Sequence, residues 1–297
     1  MQHATADAHD HDLPGWWHGQ CGQDHTIADI FADSTHAPRF GARSSHYFVD
    51  LAANHPIRLS NTRALERDFS WRGLCIDANR QMVDLLAARR DCKAVLSIVS
   101  DAEEGAVALH GSTGHASVQS GCSAGDAAAG HCQRSRTLAG LLREHRAPSV
   151  IAYLSLDVEG HEEAVLRNFP FGEWTFLAMT VERPGKALTQ ELSRHGYHHI
   201  LNHGWFGDEL WLHESIPGGM LRAGRRANAS YTTWRRAMLS PNWVRSRSGN
   251  SGSRLRSNNC GIPAAWVEPP GPPPVNLTHL EVLDRGPPCS CRGICAG

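Results

Sequence analysis

Short apolar runs alternate with longer amphipathic runs along most of this chain. The apolar runs predict strands at 46–51, 72–76, 93–99, 150–156 and 176–181, followed by two further strands at 197–201 and 209–213. Apolar residues recur at helical spacing at 27–39, 60–69, 80–90, 137–145 and 187–195, and again after Gly160. Because strands that alternate with helices form a parallel sheet with right-handed crossovers, the pattern predicts an α/β fold, a doubly wound and mostly parallel sheet.

Three segments break this alternation. Residues 1–18 are polar and rich in histidine, and they predict a disordered N-terminus. Residues 110–136, dominated by Gly, Ser, Ala and His, predict a surface insertion or a mobile loop. Residues 216–297 are basic and then proline-rich, and they predict a largely disordered tail, either solvated or in contact with an acidic surface. The α/β domain is therefore expected at 19–215.

Composition narrows the classes of function. The net charge of −1 gives no support for nucleic-acid binding. No apolar run is long enough to cross a bilayer and none near residue 1 resembles a signal peptide, which favours a soluble, cytoplasmic protein. The nine cysteines include no CxxC pair, and Cys75, inside a predicted strand, is interpreted as a small apolar residue. A disulfide stays compatible with a lumenal location.

Acidic residues end three of the predicted strands: Asp50, Asp77 and Asp157, the last followed closely by Glu159. The carboxyl ends of parallel strands line the crevice in which α/β proteins bind ligands, and an acid after the second strand can accept hydrogen bonds from ribose hydroxyls. The G-x-G-x-x-G motif of dinucleotide sites is absent, so NAD is disfavoured. Asp50 instead suits a ligand that carries positive charge, such as S-adenosylmethionine.

Several segments together resemble the FkbM-type methyltransferases. They are Phe48-Val49-Asp50-Leu51-Ala52-Ala53-Asn54-His55-Pro56, Ser60-Asn61-Thr62, Trp71-Arg72-Gly73-Leu74-Cys75-Ile76-Asp77-Ala78-Asn79, Leu156-Asp157-Val158-Glu159-Gly160-His161-Glu162 and Gly196-Tyr197. The resemblance covers about residues 20–213. It implies a class I, Rossmann-like, S-adenosylmethionine-dependent fold that methylates a hydroxyl of a carbohydrate or other small-molecule acceptor.

The resemblance also implies a set of cofactor-binding residues: Asp50, Ala52, Asn54, Ser60, Asp77, Ala78 and Asp101. In it, Asp50 and Asn54 hold the methionine part of the cofactor, Asp77 holds the ribose and Asp101 lies by the adenine. The chain departs from the family at Ala52, where glycine is usual. Because alanine adopts a positive φ only at a cost, this change is expected to alter the loop and weaken cofactor binding.

Four residues at the ends of the later strands are candidate catalytic residues: Asp157, Glu159, His161 and Glu182. Methyl transfer to an alcohol requires a general base, for which His161, Asp157 and Glu182 are the candidates. The alternatives are a helix-terminal role for His161 and support of the helix dipole by Glu159. Asp157 with Glu182 could instead bind a divalent cation, although no metal is favoured.

A second class of function is a catalytically silent methyltransferase fold that serves as an interaction module through its basic tail. Ala52 and the unusual insertion favour this alternative. The retained acids Asp50, Asp77, Asp157 and Glu159 favour the enzyme.

Overall fold

The computed structural model describes residues 17–32, 46–103, 106–110, 117–128, 132–204 and 206–238. Its strands are β1 Tyr47–Leu51, β2 Arg72–Asp77, β3 Lys93–Leu96, β4 Ile98–Val99, β5 Ala106–His110, β6 Ser117–Ser120, β7 Cys132–Arg136, β8 Val150–Leu156, β9 Thr175–Glu182, β10 Tyr197–His203 and β11 Asp208–His213. Its helices are α1 Gln23–Phe31, α2 Arg63–Phe69, α3 Arg80–Arg89, α4 Ala124–Ala128, α5 Leu138–Glu144, α6 Glu162–Leu166, α7 Lys186–Arg194 and α8 Met220–Met238. None of these helices is long and apolar enough to cross a membrane.

The main sheet has seven strands in the order β10-β11-β9-β8-β1-β2-β3. Strands β9, β8, β1, β2 and β3 pair in parallel, whereas β11 is antiparallel to both of its neighbours. The strand order reverses between β1 and β8, which is the point at which doubly wound sheets bind ligands. The predicted α/β fold with a mostly parallel sheet is confirmed.

Helices cover the main sheet on both faces. Phe48 and Tyr153 point to one face, into a core with Leu65 of α2 and Leu86 of α3, while residues of α5, α6 and α7 cover the other. The central strands are buried on both sides, so they read as continuous apolar runs rather than alternating ones. This packing fixes the carboxyl ends of β1, β2, β8 and β9 relative to one another.

The segment predicted as a surface insertion forms a small second sheet instead of a structureless loop. The predicted strand at 93–99 divides into β3, in the main sheet, and β4, which opens a four-stranded sheet in the order β4-β7-β5-β6. Antiparallel pairing of β5 with β6 and with β7 supplies backbone hydrogen bonds that a loop would lack. A disulfide joins Cys122, just after β6, to Cys132, the first residue of β7, with the Cα atoms 5.9 Å apart. Residues 111–116 and 129–131 lie outside the described residues.

A second disulfide joins Cys75 of β2 to Cys92, just before β3. The two Cα atoms are 6.0 Å apart, because β2 and β3 are neighbouring parallel strands and α3 returns the chain to the start of β3. The interpretation of Cys75 as a plain apolar residue is therefore wrong. Both cysteines are buried, so the bond lies within the core on which the end of β2 rests.

The N- and C-terminal parts of the domain also differ from expectation. Helix α1 begins at Gln23, earlier than the predicted position 27, and packs against α8, which lies in the segment assigned to the tail. Ala223 and Ala227 are buried on α8, while its arginines lie on the more exposed faces. Met220 is buried in the same core, and Leu221 and Tyr231 pack against it, so an apolar face of α8 explains how a basic segment forms an ordered helix. Residues 1–16 and 239–297 lie outside the described residues.

Candidate functional site

The carboxyl edge of the main sheet carries one transverse row of residues that crosses all seven strands. Asp77 pairs with Leu96, Glu182 with Asp208, and Asp208 with His203. The pairings among β2, β1, β8 and β9 end one residue earlier, at Leu51 with Ile76, Leu51 with Leu156, and Leu156 with Val181. The row therefore runs in the order Leu96, Asp77, Ala52, Asp157, Glu182, Asp208 and His203. The row brings Asp77, the residue predicted to bind the ribose, to the same edge of the sheet as the predicted catalytic acids Asp157 and Glu182. Asp77 lies on one side of the loop after β1, and the two acids lie on the other.

Three residues of the loop after β1 have a left-handed backbone, and two of them lie at its start. Ala52 has φ of 59° and Asn54 has φ of 50°. The loop is fixed to the end of β2, since the Ala53 N–H donates to the Ile76 carbonyl at 3.1 Å and the Asn54 N–H donates to Asp77 Oδ2 at 2.7 Å. The position where the family usually has glycine thus keeps a conformation that costs an alanine about 1–2 kcal/mol.

Asp50 lies beneath this loop and is almost fully buried. Its Oδ2 accepts a hydrogen bond from the Thr62 hydroxyl at 2.5 Å, and the buried Arg90 donates to Thr62 at 3.0 Å and to the Ser60 hydroxyl at 3.1 Å. Burial raises the pKa of Asp50, against the Thr62 hydrogen bond and the charge of Arg90. The hydroxyl of Ser60, a residue predicted to bind the cofactor, accepts hydrogen bonds from Arg90 and from the Arg63 N–H. Ser60 therefore helps to hold Arg90, whose charge acts on Asp50.

Asp77 holds the loops at the ends of β1 and β2. One carboxylate oxygen accepts the Asn54 N–H and the other accepts the Asn79 N–H, both at 2.7 Å. Burial raises the pKa of Asp77, while these backbone hydrogen bonds oppose the shift. A carboxylate has about four acceptor sites, so capacity remains for ribose hydroxyls. The neighbouring Ala78 carbonyl accepts a hydrogen bond from Gln133 of β7 at 3.2 Å, so the small sheet reaches the end of β2.

Asp101 and His161 are linked through the Ser100 hydroxyl, which contacts both side chains. Asp101 accepts hydrogen bonds from Arg167 at 2.6 Å and from the Ser100 hydroxyl at 3.2 Å. Burial acts to raise the pKa of Asp101, but the hydrogen bonds from Arg167 and Ser100 and the charge of Arg167 together outweigh it, so the pKa is lowered. The three residues Ser100, Asp101 and Arg167 line a pocket of about 250 Å³ with parts of α5 and the segment after α6.

The Ser100 hydroxyl also lies 3.0 Å from His161 Nε2. The hydroxyl has one proton, which it donates to Asp101, so the Nε2–H of His161 donates to Ser100. Burial lowers the pKa of His161. The neutral ring therefore keeps an unprotonated Nδ1, and this is the atom that can accept a proton.

The acids after β8 and β9 form a tight cluster. One carboxylate oxygen from each of Asp157, Glu159 and Glu182 lies within 4.8 Å of the other two. Burial and the nearby Glu182 carboxylate raise the pKa of Asp157 well above its usual range. The same two causes raise the pKa of the adjacent Asp208 to about 7. Arg183 partly balances this charge, with one nitrogen 2.5 Å from Glu182 Oε1 and 3.2 Å from Glu159 Oε2.

The loops that carry this cluster are held in an uncommon conformation. Glu159 has φ of 54°, Gly160 has φ of 94° and Arg183 has φ of 42°. The buried Glu162 carboxylate stabilises the first loop by accepting the N–H groups of Val158 at 3.0 Å and Gly160 at 3.1 Å. Strained backbone of this kind concentrates at functional sites.

Several residues of the site were not predicted from the sequence. They are Thr62, Arg90, Arg183 and Asp208, together with Ser155, which hydrogen-bonds Asp50, and Asn61, which donates to Ser155 at 3.1 Å. Arg90 ends a helix with an exposed outer face, which is typical of a solvated arginine, and only the tertiary fold turns it toward Asp50. Asp208 opens the last strand of the terminal hairpin, but only the pairing of β11 with β9 places it beside Glu182.

A comparison with protein-family models matches residues 50–199 to the methyltransferase FkbM domain. A comparison with curated proteins found no match. The matched span begins at Asp50 and contains every residue predicted to bind the cofactor or to act in catalysis. It covers half of the chain and agrees with the sequence motifs and with the doubly wound sheet. The chain belongs to the FkbM methyltransferase family.

Proposed function

We propose that this protein is an S-adenosylmethionine-dependent O-methyltransferase that methylates a hydroxyl of a carbohydrate or small-molecule acceptor. The observation that carries the proposal is the division of acids at the switch point of the sheet. Asp50 and Asp77 flank the β1 loop on one side, and Asp157 and Glu182 follow on the other. Membership of a methyltransferase family supports the reaction class.

The β1 and β2 ends are the proposed cofactor side. A nucleoside bound here would meet Asp77, whose oxygens can accept hydrogen bonds from both ribose hydroxyls. The left-handed Ala52 and Asn54 bring the backbone of the loop close to the ligand. Asp50 is buried beneath them, and its negative charge favours the ammonium or sulfonium of the cofactor.

The β8 and β9 ends are the proposed acceptor side. In the reaction the acceptor oxygen attacks the methyl carbon, an O–C bond forms, and the C–S bond breaks with its electron pair passing to sulfur. The hydroxyl proton leaves to a base, for which Nδ1 of His161 and the carboxylates of Asp157 and Glu182 are candidates. The rest of the rate gain comes from aligning oxygen, methyl carbon and sulfur.

Calorimetry with S-adenosylmethionine on the full chain tests the cofactor half of the proposal. We expect saturable binding that Asp77→Asn weakens by about tenfold or more, because the charged acceptor for the ribose is lost. Asp84→Asn, an exposed acid on α3, is the matched control and is expected to bind like the wild type. A screen of sugars and small alcohols with methyl-labelled cofactor then identifies the acceptor.

A catalytically silent fold that acts as an interaction module is the second candidate. The left-handed alanine at position 52 favours it, since this residue strains the loop nearest the cofactor. Both oxygens of Asp77 also already accept backbone hydrogen bonds. Absence of binding to the folded wild type at high micromolar cofactor would decide for this candidate and against the enzyme.

A further inference from the structure

The acid cluster after β8 and β9 has the composition of a cation site. We propose that Asp157, Glu159 and Glu182 bind a hard divalent cation such as Mg²⁺, Mn²⁺ or Ca²⁺. The three residues supply carboxylate oxygens only, and these are the ligands that such cations prefer over zinc, copper or iron.

The spacing of the oxygens fits one shared ion. Oxygens that ligate a single Mg²⁺, Mn²⁺ or Ca²⁺ lie about 3 Å apart when adjacent and about 4–5 Å apart when opposed. The three carboxylate oxygens here lie within 4.8 Å of one another. They therefore already lie within the span of one coordination sphere.

Glu182 gives an observation independent of this spacing. It is only 6 % exposed, and its Oε2 atom is buried without a hydrogen-bond partner, while Oε1 contacts Arg183. A buried carboxylate oxygen without a donor is costly, and beside the Asp157 carboxyl it needs either a proton shared with Asp157 or a cation. A cation held between Glu182 and Asp157 would satisfy this oxygen.

The local charge also favours a cation. Asp157, Glu159, Glu182 and Asp208 lie together, and Arg183 contributes one positive charge to two of them. The Arg183 side chain is 58 % exposed, so it can turn into solvent when an ion binds. Glu159 and Arg183 both have a left-handed backbone, and their side chains meet with Arg183 3.2 Å from Glu159 Oε2.

The position of the cluster gives the cation a role, and this part of the inference rests on the proposed function. Asp157 follows β8 and lies beside the β1 loop, so an ion there would lie between the cofactor side and the acceptor. A divalent cation can bind the acceptor oxygen, lower the pKa of the hydroxyl and fix its direction of attack. The proton would then leave to His161 or to water, because the clustered carboxylates would be occupied as ligands.

Titration of the full chain with Mn²⁺, followed by electron paramagnetic resonance, tests the binding. We expect one saturable site up to low millimolar cation, and displacement of Mn²⁺ by Mg²⁺ or Ca²⁺. Glu182→Gln and Asp157→Asn should each weaken Mn²⁺ binding by about tenfold or more, since each removes a charged ligand. Glu163→Gln is the matched control, because it removes an acid of the same helix start that is half exposed and outside the cluster.

Circular dichroism establishes that each variant is folded. A folded wild type that binds no Mn²⁺, or a folded Glu182→Gln that binds it as tightly as the wild type, overturns the inference. Cofactor calorimetry in the presence of EDTA separates this result from the proposed function. Asp77→Asn should weaken S-adenosylmethionine binding and leave Mn²⁺ binding unchanged, while Glu182→Gln should weaken Mn²⁺ binding and leave S-adenosylmethionine binding unchanged.

Discussion

Five residues other than glycine have a left-handed backbone in the loops that surround the proposed site: Ala52, Asn54, Leu59, Glu159 and Arg183. Each such conformation costs about 1–3 kcal/mol and persists only where the surroundings hold it. Here Asp77 holds the first loop and Glu162 holds the loop after β8. The fold thus holds these loops in an unfavourable backbone conformation at the edge of the sheet, as is expected of a site that must be rigid.

Ala52→Gly should stabilise the protein by up to about 1 kcal/mol, because glycine removes the left-handed strain and gives back only part of it as chain entropy. Urea unfolding measures the change. Ala53→Gly is the control, since Ala53 is buried next to it and is not among the residues with a positive φ. It should lower the free energy of unfolding, and a lower value for Ala52→Gly as well would contradict the account of strain.

His203, the β10 member of the row, should make the protein sensitive to acid. Burial lowers its pKa to about 4, while the unfolded chain has a value near 6.5. Between these pH values the unfolded state binds a proton that the folded state does not, so stability falls as the pH drops from 6.5 to 4. The loss amounts to about 3 kcal/mol and is absent above the unfolded pKa.

His203→Asn isolates this contribution, since the amide can replace the Nδ1–H hydrogen bond to the Cys21 carbonyl and does not titrate. The free energy of unfolding of the wild type relative to this variant should decline steadily from pH 6.5 to 4. His199→Asn, an exposed residue of the same strand, serves as the control. A constant difference between wild type and His203→Asn over that range would show that His203 does not carry the effect.

The sequence was sufficient for the acids that directly end an apolar strand. Asp50, Asp77, Asp157 and Glu182 follow runs whose only regular interpretation is a buried strand, so their place at the sheet edge follows from the pattern. The strand order and the register were not readable, and they alone bring Asp208 beside Glu182. The position of Arg90 in the site was also not predictable from the sequence, because only the folded chain removes its side chain from solvent.

At the scale of the elements, the fold departs most from its prediction where pairing is not local. The strand at 93–99 changes sheets at Ser97, and the region after it has too many small and polar residues to show the period of a strand. The resulting sheet contacts Ala78 through Gln133. The segment predicted as a loop-like insertion therefore forms a sheet that contacts the end of β2, on the side proposed to bind the ribose.

Helix α8 also departs from its prediction because its contacts are with residues distant in the sequence. Its composition is typical of a solvated basic tail, yet Ala227 is fully buried and the Ser230 hydroxyl lies 2.5 Å from Nδ1 of His25 in α1. Ala227→Arg should lower the free energy of unfolding by about 3 kcal/mol or more, because a large charged side chain would enter a closely packed helix contact.

The matched control is Ala229→Arg, which places the same charge on the exposed face of α8. It should change stability by less than about 0.5 kcal/mol. Thermal and urea unfolding of the two variants compare them directly. Equal stability of the two variants would mean that α8 does not dock through Ala227, and the boundary predicted near residue 215 would then stand.

At the scale of the whole molecule, two disulfides join elements that end at the proposed site. Cys75–Cys92 holds β2 to β3 beneath Asp77, and Cys122–Cys132 holds the small sheet that reaches Ala78. Disulfides form and persist in oxidising compartments and are rare in the cytosol. The cytoplasmic expectation from the sequence stays a prediction, and the state of these four cysteines in the native protein is the observation that bears on it.

Cys75→Ala with Cys92→Ala should lower the free energy of unfolding by about 3 kcal/mol, the chain-entropy value for a closed loop of this length. Alanine fits both buried positions without adding a polar group, so the loss reports the bond itself. Cys21→Ala is the control, since it removes a buried cysteine that forms no disulfide and should cost far less. Peptide mapping of unreduced protein must find Cys75 linked to Cys92. If it finds both as free thiols in oxidised, folded protein, the bond does not contribute to stability, and the end of β2 depends on strand pairing alone.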